Sequence, residues 1–142
     1  MSPGSPAPSP AAGPLPLVWG ALVVALGGAA GATLRALVAA PDDRIGTLLV
    51  NVAGSAAIGL VGGLITTGAL HLFLAPGLLG GFTTMSAWAE QVRLSTADAP
   101  VAAASLLVAT PLLCVAAAAL GLVLARWARR GRPGPEGDGG AA

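Results

Sequence analysis

Residues 80–90 read GGFTTMSAWAE, and the part from Gly80 to Ala89 closes a stretch that begins at Ile45 and holds no formally charged side chain. Two glycines, two threonines, a serine and an indole are an unusual set for a plain lipid-facing helix. Each glycine weakens a helix interior by roughly 1 kcal/mol relative to alanine. Backbone groups freed at membrane depth are tolerated only where protein or a water-filled cavity surrounds them. The segment therefore predicts a broken helix whose carbonyls and hydroxyls line an ion site.

The surrounding chain must be a membrane protein to make that reading sensible, and its composition says so. Of 142 residues, 55% are hydrophobic and only 9% charged, with no lysine. A spanning helix needs ~20 mostly apolar residues. The charge-free runs 1–34, 45–89 and 99–125 have room for one, two and one such helix. The expected architecture is an all-α membrane protein with four transmembrane helices and a break in the third, with nothing left over for a separate soluble domain. A net charge of +1 and scattered arginines give no phosphate-binding surface, so nucleic acid is not an expected partner. The single cysteine, Cys114, cannot form an intrachain disulfide and reads as packing inside the last apolar run.

Helices are expected at about 17–40, 46–68, 71–95 and 101–127. Residues 1–16 are rich in Pro, Ser, Ala and Gly, and residues 128–142 turn Gly/Pro-rich. Both tails are expected to be disordered around a channel domain at 17–127. No basic residue precedes the first apolar run, so that run is expected to be retained as a span, not cleaved as a signal. PDDR (41–44) supplies the first turn, a bend is expected near Gly68 to His71, and Pro76 should kink or restart the third helix. Asp98 and Pro100 are expected to open the fourth, where a carboxylate and an early proline suit free amides.

Packing faces are also legible. In the first span Gly20, Val24, Gly27, Gly31 and Arg35 fall near one face, and Gly27 with Gly31 forms a small-xxx-small pair. Arg35 either snorkels to the interface or serves a buried or vestibule role. In the second span Asn51, Gly54, Ser55, Gly59 and Gly63 form a small and polar face. Asn51 is the sole amide there, and it is either interhelical glue or a donor to a conducted anion.

Three segments, GGAAGATLRALVA (27–39), GTLLVNVAGSAAIG (46–59) and GLLGGFTTMSAWAEQ (77–91), together resemble successive signatures of the CrcB/Fluc fluoride-channel family. The match runs through the first three spans in order. The fourth span is similar only in length and apolar character. The resemblance implies a dual-topology antiparallel homodimer in the bacterial plasma membrane, two fluoride pathways along the subunit interface and a structural sodium ion at the centre.

Carried over by position, the resemblance places the pathway asparagine at Asn51 and the helix-end arginine at Arg35, and it assigns the sodium ligands to the backbone carbonyls of Gly80 and Thr83. Neutral oxygens freed by a glycine break suit a hard cation. The family's two pathway phenylalanines fall on Met85 and Trp88, and both depart from the pattern. A ring edge carries partial positive charge and can face an anion. Trp88 keeps such an edge and adds an indole donor, whereas Met85 offers an adaptable thioether. Ser86 matches a family hydroxyl, the next polar position is Ala87, and Thr84 is a family residue that can support the break. Phe82 reads as packing. The activity implied is passive export of fluoride, a small and strongly hydrated anion that needs several donors in a narrow passage. Hydrogen fluoride entering an acidified cell uncharged dissociates inside, so an anion leak protects without fuel.

Other classes fit less well. A small multidrug exporter also has four spans and dual topology but needs a membrane-embedded carboxylate, which the first span lacks. An enzyme needs a nucleophile with a base, and one histidine and one cysteine on separate segments supply no such set. The terminal side of a four-span chain carries Arg126, Arg129, Arg130 and Arg132, against Arg44 and Arg93 on the other. That bias points the termini inward and leaves open pairing with an oppositely oriented paralogue in place of a second copy.

Overall fold

The computed structural model describes residues 17–40 and 43–130. The expectations for residues 1–16 and 131–142, with Arg132 among them, and for Pro41 as a stop lie outside the described residues. Within them the architecture is all-helical. It comprises α1 (Leu17–Val38), α2 (Arg44–Leu64), α3 (Gly68–Leu72), a π-helical segment (Phe73–Leu79), α4 (Gly80–Phe82), α5 (Met85–Asp98) and α6 (Pro100–Arg130). Taken as continuous paths, these elements make four stretches long and apolar enough to cross a membrane, the third running Gly68–Asp98.

That third span is interrupted twice, each time for a local reason. Pro76 has no amide to give to the helical ladder, and its ring crowds the carbonyl one turn back, so the helix widens into π geometry over Phe73–Leu79. After Phe82 the backbone becomes extended, with φ −74° and ψ 155° at Thr83 and φ −143° and ψ 118° at Thr84. Thr84 then caps α5, its Oγ1 accepting from the Ala87 amide at 3.2 Å. The helix break expected from the glycines and hydroxyls is therefore present, between Phe82 and Met85.

Several boundaries differ from the expected ones. The turn before the third span lies at Ile65–Thr67, and Gly68 opens α3 with φ 89°, a left-handed conformation that glycine adopts without a Cβ clash. His71 falls inside α3, where its Nδ1–H donates to the Ile65 carbonyl at 2.7 Å and holds that turn. Pro100 is the first residue of α6, as its missing amide favours, but Asp98 ends α5 and does not open α6. Helix α6 continues to Arg130, past the expected end at 127. Its 31 residues span about 46 Å at 1.5 Å each, more than the ~30 Å of a hydrocarbon core, so it projects beyond the bilayer.

Small residues set how the spans pack. Gly27 and Gly31 are buried in α1, and a Cβ on either would strike the Phe73 or the Leu78 carbonyl. Gly81 meets the Gly28 carbonyl in the same way. On the other side α2 lies along α6, with Gly59 against the Ala118 carbonyl and Gly121 against the Ala56 carbonyl. Helices that have no hydrophobic advantage over lipid associate through such close backbone approach. The large apolar side chains, Leu22, Leu49, Val108, Leu112 and Leu120 among them, point outward, and the apolar core proper is Val50, Leu79, Ala103 and Ala125.

Candidate functional site

The break is held from two sides by side chains of the first two spans. Asn51, 5% exposed on α2, donates from Nδ2 to the Thr84 carbonyl at 2.9 Å and accepts the Thr84 amide on Oδ1 at 2.7 Å. Both backbone groups of the extended residue are thereby satisfied. Asn51 is interhelical glue in this geometry, and one N–H of its amide is left over for another acceptor. From α1, the Arg35 Nη1 donates to the carbonyls of Gly81 at 2.9 Å and Thr83 at 3.0 Å. Arg35 turns inward to cap the broken end, which decides against simple snorkelling.

These contacts determine which backbone oxygens are free. In an unbroken helix the Thr84 amide would bond the Gly80 carbonyl, but it goes to Asn51. Gly80, exposed on the outer side of the single chain, thus keeps a carbonyl without that donor. Thr83 is half-buried, and its carbonyl accepts from Arg35 with one lone pair remaining. The Thr83 hydroxyl returns to the Leu79 carbonyl at 3.1 Å, and its Cγ2 lies where a Cβ on Gly54 would fall. Phe82 packs against the same glycine, its Cδ1 3.4 Å from that Cβ position, in line with the packing role expected of it.

Beyond the break the polar groups diverge. Ser86 Oγ and Thr84 Oγ1 lie 3.2 Å apart, and Ser86 and Met85 are exposed on the single chain. The Trp88 indole Nε1–H donates to the Leu106 carbonyl of α6 at 3.1 Å. That donor is committed to a neighbouring helix, so the part of Trp88 left to face an ion is its ring edge. Deeper along α5, Gln91 donates to Thr47 Oγ1 at 2.9 Å and ties α5 to the start of α2.

Two cavities flank Thr84. One of about 520 Å³ is lined by Arg35, Thr47, Ser86 and Glu90, a vestibule between α1, α2 and α5. The other, about 140 Å³, is lined by Asn51, Ser55, Met85, Trp88, Thr110 and Cys114. Of the site residues expected from the sequence, the structure gathers Asn51, Thr84, Met85 and Trp88 around the small cavity and Arg35 and Ser86 around the vestibule, with Thr84 in both walls. Sequence reasoning missed Thr110 and assigned Cys114 to packing. The available signal was the four-residue spacing of a hydroxyl and a thiol across Pro111 in an otherwise aliphatic run.

A helical bundle whose described residues hold four membrane-length spans, glycine-packed and with the third span broken, is a multi-pass membrane protein. Residues 22–122 match the family model described as CrcB-like protein, Camphor Resistance (CrcB), and the chain belongs to that family. It is 43% identical over 122 residues to a protein of Anaeromyxobacter dehalogenans named fluoride-specific ion channel FluC, with 75% of this chain and 94% of that one covered. A protein of Hyphomonas neptunium with the same name is 42% identical over 121 residues, with coverage of 75% and 95%. FluC 2 of Nocardia farcinica is 39% identical over 119 residues, covering 75% and 85%.

Proposed function

We propose that this chain is a fluoride-selective channel that lets fluoride leave the cytoplasm of a bacterial cell passively, working as an antiparallel dual-topology dimer. The observation that carries the reading is the Asn51–Thr84 clamp at the break, which keeps a spare amide donor beside a cavity that also holds Thr84, Ser55 and the Trp88 ring. Relatives that share about 40% of the sequence carry the name fluoride-specific ion channel. A small anion leaving water needs several donors within a narrow passage, and hydroxyl, amide N–H and aromatic edge are all present without a fixed ammonium to trap it. The pathway residues in this reading are Asn51, Thr84, Met85, Ser86 and Trp88, with Arg35 at the vestibule. Selectivity over chloride rests on the width of the passage and the spacing of its donors.

Support for the dimer comes from exposure. Met85, Ser86 and Gly80 all face outward from one chain, so the pathway and the freed carbonyl would be finished by a second copy. Inversion of that copy brings two breaks together across a twofold axis in the membrane plane.

Sodium fits the donor chemistry of the break. The carbonyls of Gly80 and Thr83 are neutral oxygens, the first freed by the Thr84–Asn51 bond and the second holding a spare lone pair. Two carbonyls from one chain underfill a hard cation, and a twofold mate would double them. A bound sodium ion would supply positive charge against those carbonyls, while Arg35 and Asn51 hold the backbone that presents them.

The test is reconstitution of the purified chain alone into liposomes, with fluoride efflux followed by electrode. Sodium-dependent efflux of fluoride without chloride supports the whole reading. Efflux only when an oppositely oriented paralogue is added replaces the homodimer by a heterodimer, and absence of efflux in both overturns the channel.

A further inference from the structure

The small cavity contains two sulfur atoms that the fluoride reading does not use together. Cys114, half-buried on α6, and Met85, at the start of α5, line the same space of about 140 Å³. Packing alone does not account for this space, because of Thr110. That residue is 6% exposed, and its hydroxyl makes no hydrogen bond among the described residues. No fully enclosed polar atom of the described residues is left without a partner, so the Thr110 hydroxyl opens into the cavity it lines. One of its two usual acceptors is already engaged. A helical threonine usually returns its hydroxyl to the carbonyl three or four residues before it. Here the carbonyl four back is that of Leu106, which receives the Trp88 indole. Cys114 follows Thr110 by one helical turn and lines the same space.

We propose that Cys114 and Met85 form a binding site for a soft monovalent cation of the Ag⁺ or Cu⁺ type, and that its occupancy shuts the pathway; the closure, but not the binding, rests on the fluoride-channel reading. A thiolate and a thioether are the ligands that select such ions over hard ones. Soft d¹⁰ cations accept two-coordinate sulfur ligation, so two ligands suffice. Among the described residues no group of three His, Cys, Asp or Glu could hold a harder metal. The step is a ligand exchange without redox change: Ag⁺ takes the place of the thiol proton on Cys114 Sγ, the proton leaves to water, and Met85 Sδ donates a lone pair. The silver thiolate is neutral, so the block is steric: the ion and the thioether it draws in narrow a cavity whose width conduction depends on.

The experiment uses the full chain in liposomes with nitrate as counter-ion, since silver fluoride stays soluble. With Ag⁺ near one per chain, we expect fluoride efflux to fall about tenfold or more, as a plugged path requires. Each variant is normalised to its own untreated flux. Cys114→Ser should keep its flux under Ag⁺, and Met85→Leu should need more Ag⁺ for the same block. Unblocked wild-type flux, or equal block in Cys114→Ser, overturns the proposal. A second measurement needs no transport: a small methanethiosulfonate reagent should add one disulfide-linked group to Cys114, releasing methanesulfinate, and Ag⁺ should prevent this in intact-mass spectra. An unlabelled Cys114, or labelling indifferent to Ag⁺, overturns the site even in a chain that conducts. Labelling with Ag⁺ protection in a chain that never conducts upholds the site and rejects only the channel reading.

Discussion

Asn51 and Thr84 exchange two hydrogen bonds across the helix break, Nδ2 to carbonyl at 2.9 Å and amide to Oδ1 at 2.7 Å. One side chain on α2 thereby substitutes for the helical partners that Thr84 has lost. The break is consequently a defined structure, and the residue that holds it is also the one with an amide hydrogen to spare.

Asn51→Asp retains the acceptor for the Thr84 amide but places a carboxylate oxygen against the Thr84 carbonyl and an anion in an anion path. Fluoride efflux per folded protein is expected to vanish. Thermal unfolding in detergent should report a cost of about 1–3 kcal/mol for the carbonyl left without its donor. Wild-type flux per folded protein would remove Asn51 from the pathway.

Arg35 reaches two carbonyls at once, Gly81 and Thr83, with one guanidinium nitrogen. Arg35→Met leaves both without that donor and should cost about 1–3 kcal/mol, while Arg35→Lys should recover only part, since a compact ammonium is more strongly hydrated and costs more to hold against the break. Detergent melting of the three proteins checks the order. Equal stability of all three would mean that the cap is dispensable.

Gly81→Leu places a side chain where the Gly28 carbonyl of α1 already lies. The first and third spans must separate, and the carbonyls of Gly80 and Thr83 lose their placement. Loss of assembly on size exclusion and loss of flux are expected together. Normal flux with unchanged sodium dependence would reject the ion assignment at the break.

Trp88→Phe separates ring from donor. The ring edge stays and the bond to the Leu106 carbonyl goes, so flux per folded protein should persist while stability falls by about 0.5–1.5 kcal/mol. Trp88→Ala removes both and should cost about 3–5 kcal/mol. It should also reduce flux per surviving folded protein. Unchanged flux per folded protein in Trp88→Ala would make the residue purely structural.

Met85→Phe restores the side chain that the family resemblance implies at this position. Fluoride efflux should hold or rise, with chloride still excluded. A fall in flux would show that the thioether, and not a ring, suits this passage.

The number of spans, the break in the third, the glycine faces and the family were legible in the amino-acid sequence, because each depends on neighbours within a turn or two: apolar run length, the missing amide of Pro76, and glycines spaced to let backbones meet. Asn51, Thr84 and Arg35 were recognisable for the same reason, as polar residues with no local use in apolar helices. Their partners follow from how the helices pack. The Arg35 and Asn51 bonds join residues 33 to 48 apart, and Trp88 meets Leu106 18 positions away. Such pairs depend on the rotation and height of one helix against another. The spacing of Thr110 and Cys114 was visible but its meaning was not, because hydropathy does not mark which face of an apolar helix turns inward. Backbone approach at Gly59 and Gly121 sets the rotation of α6, and that rotation brings a hydroxyl and a thiol to the cavity.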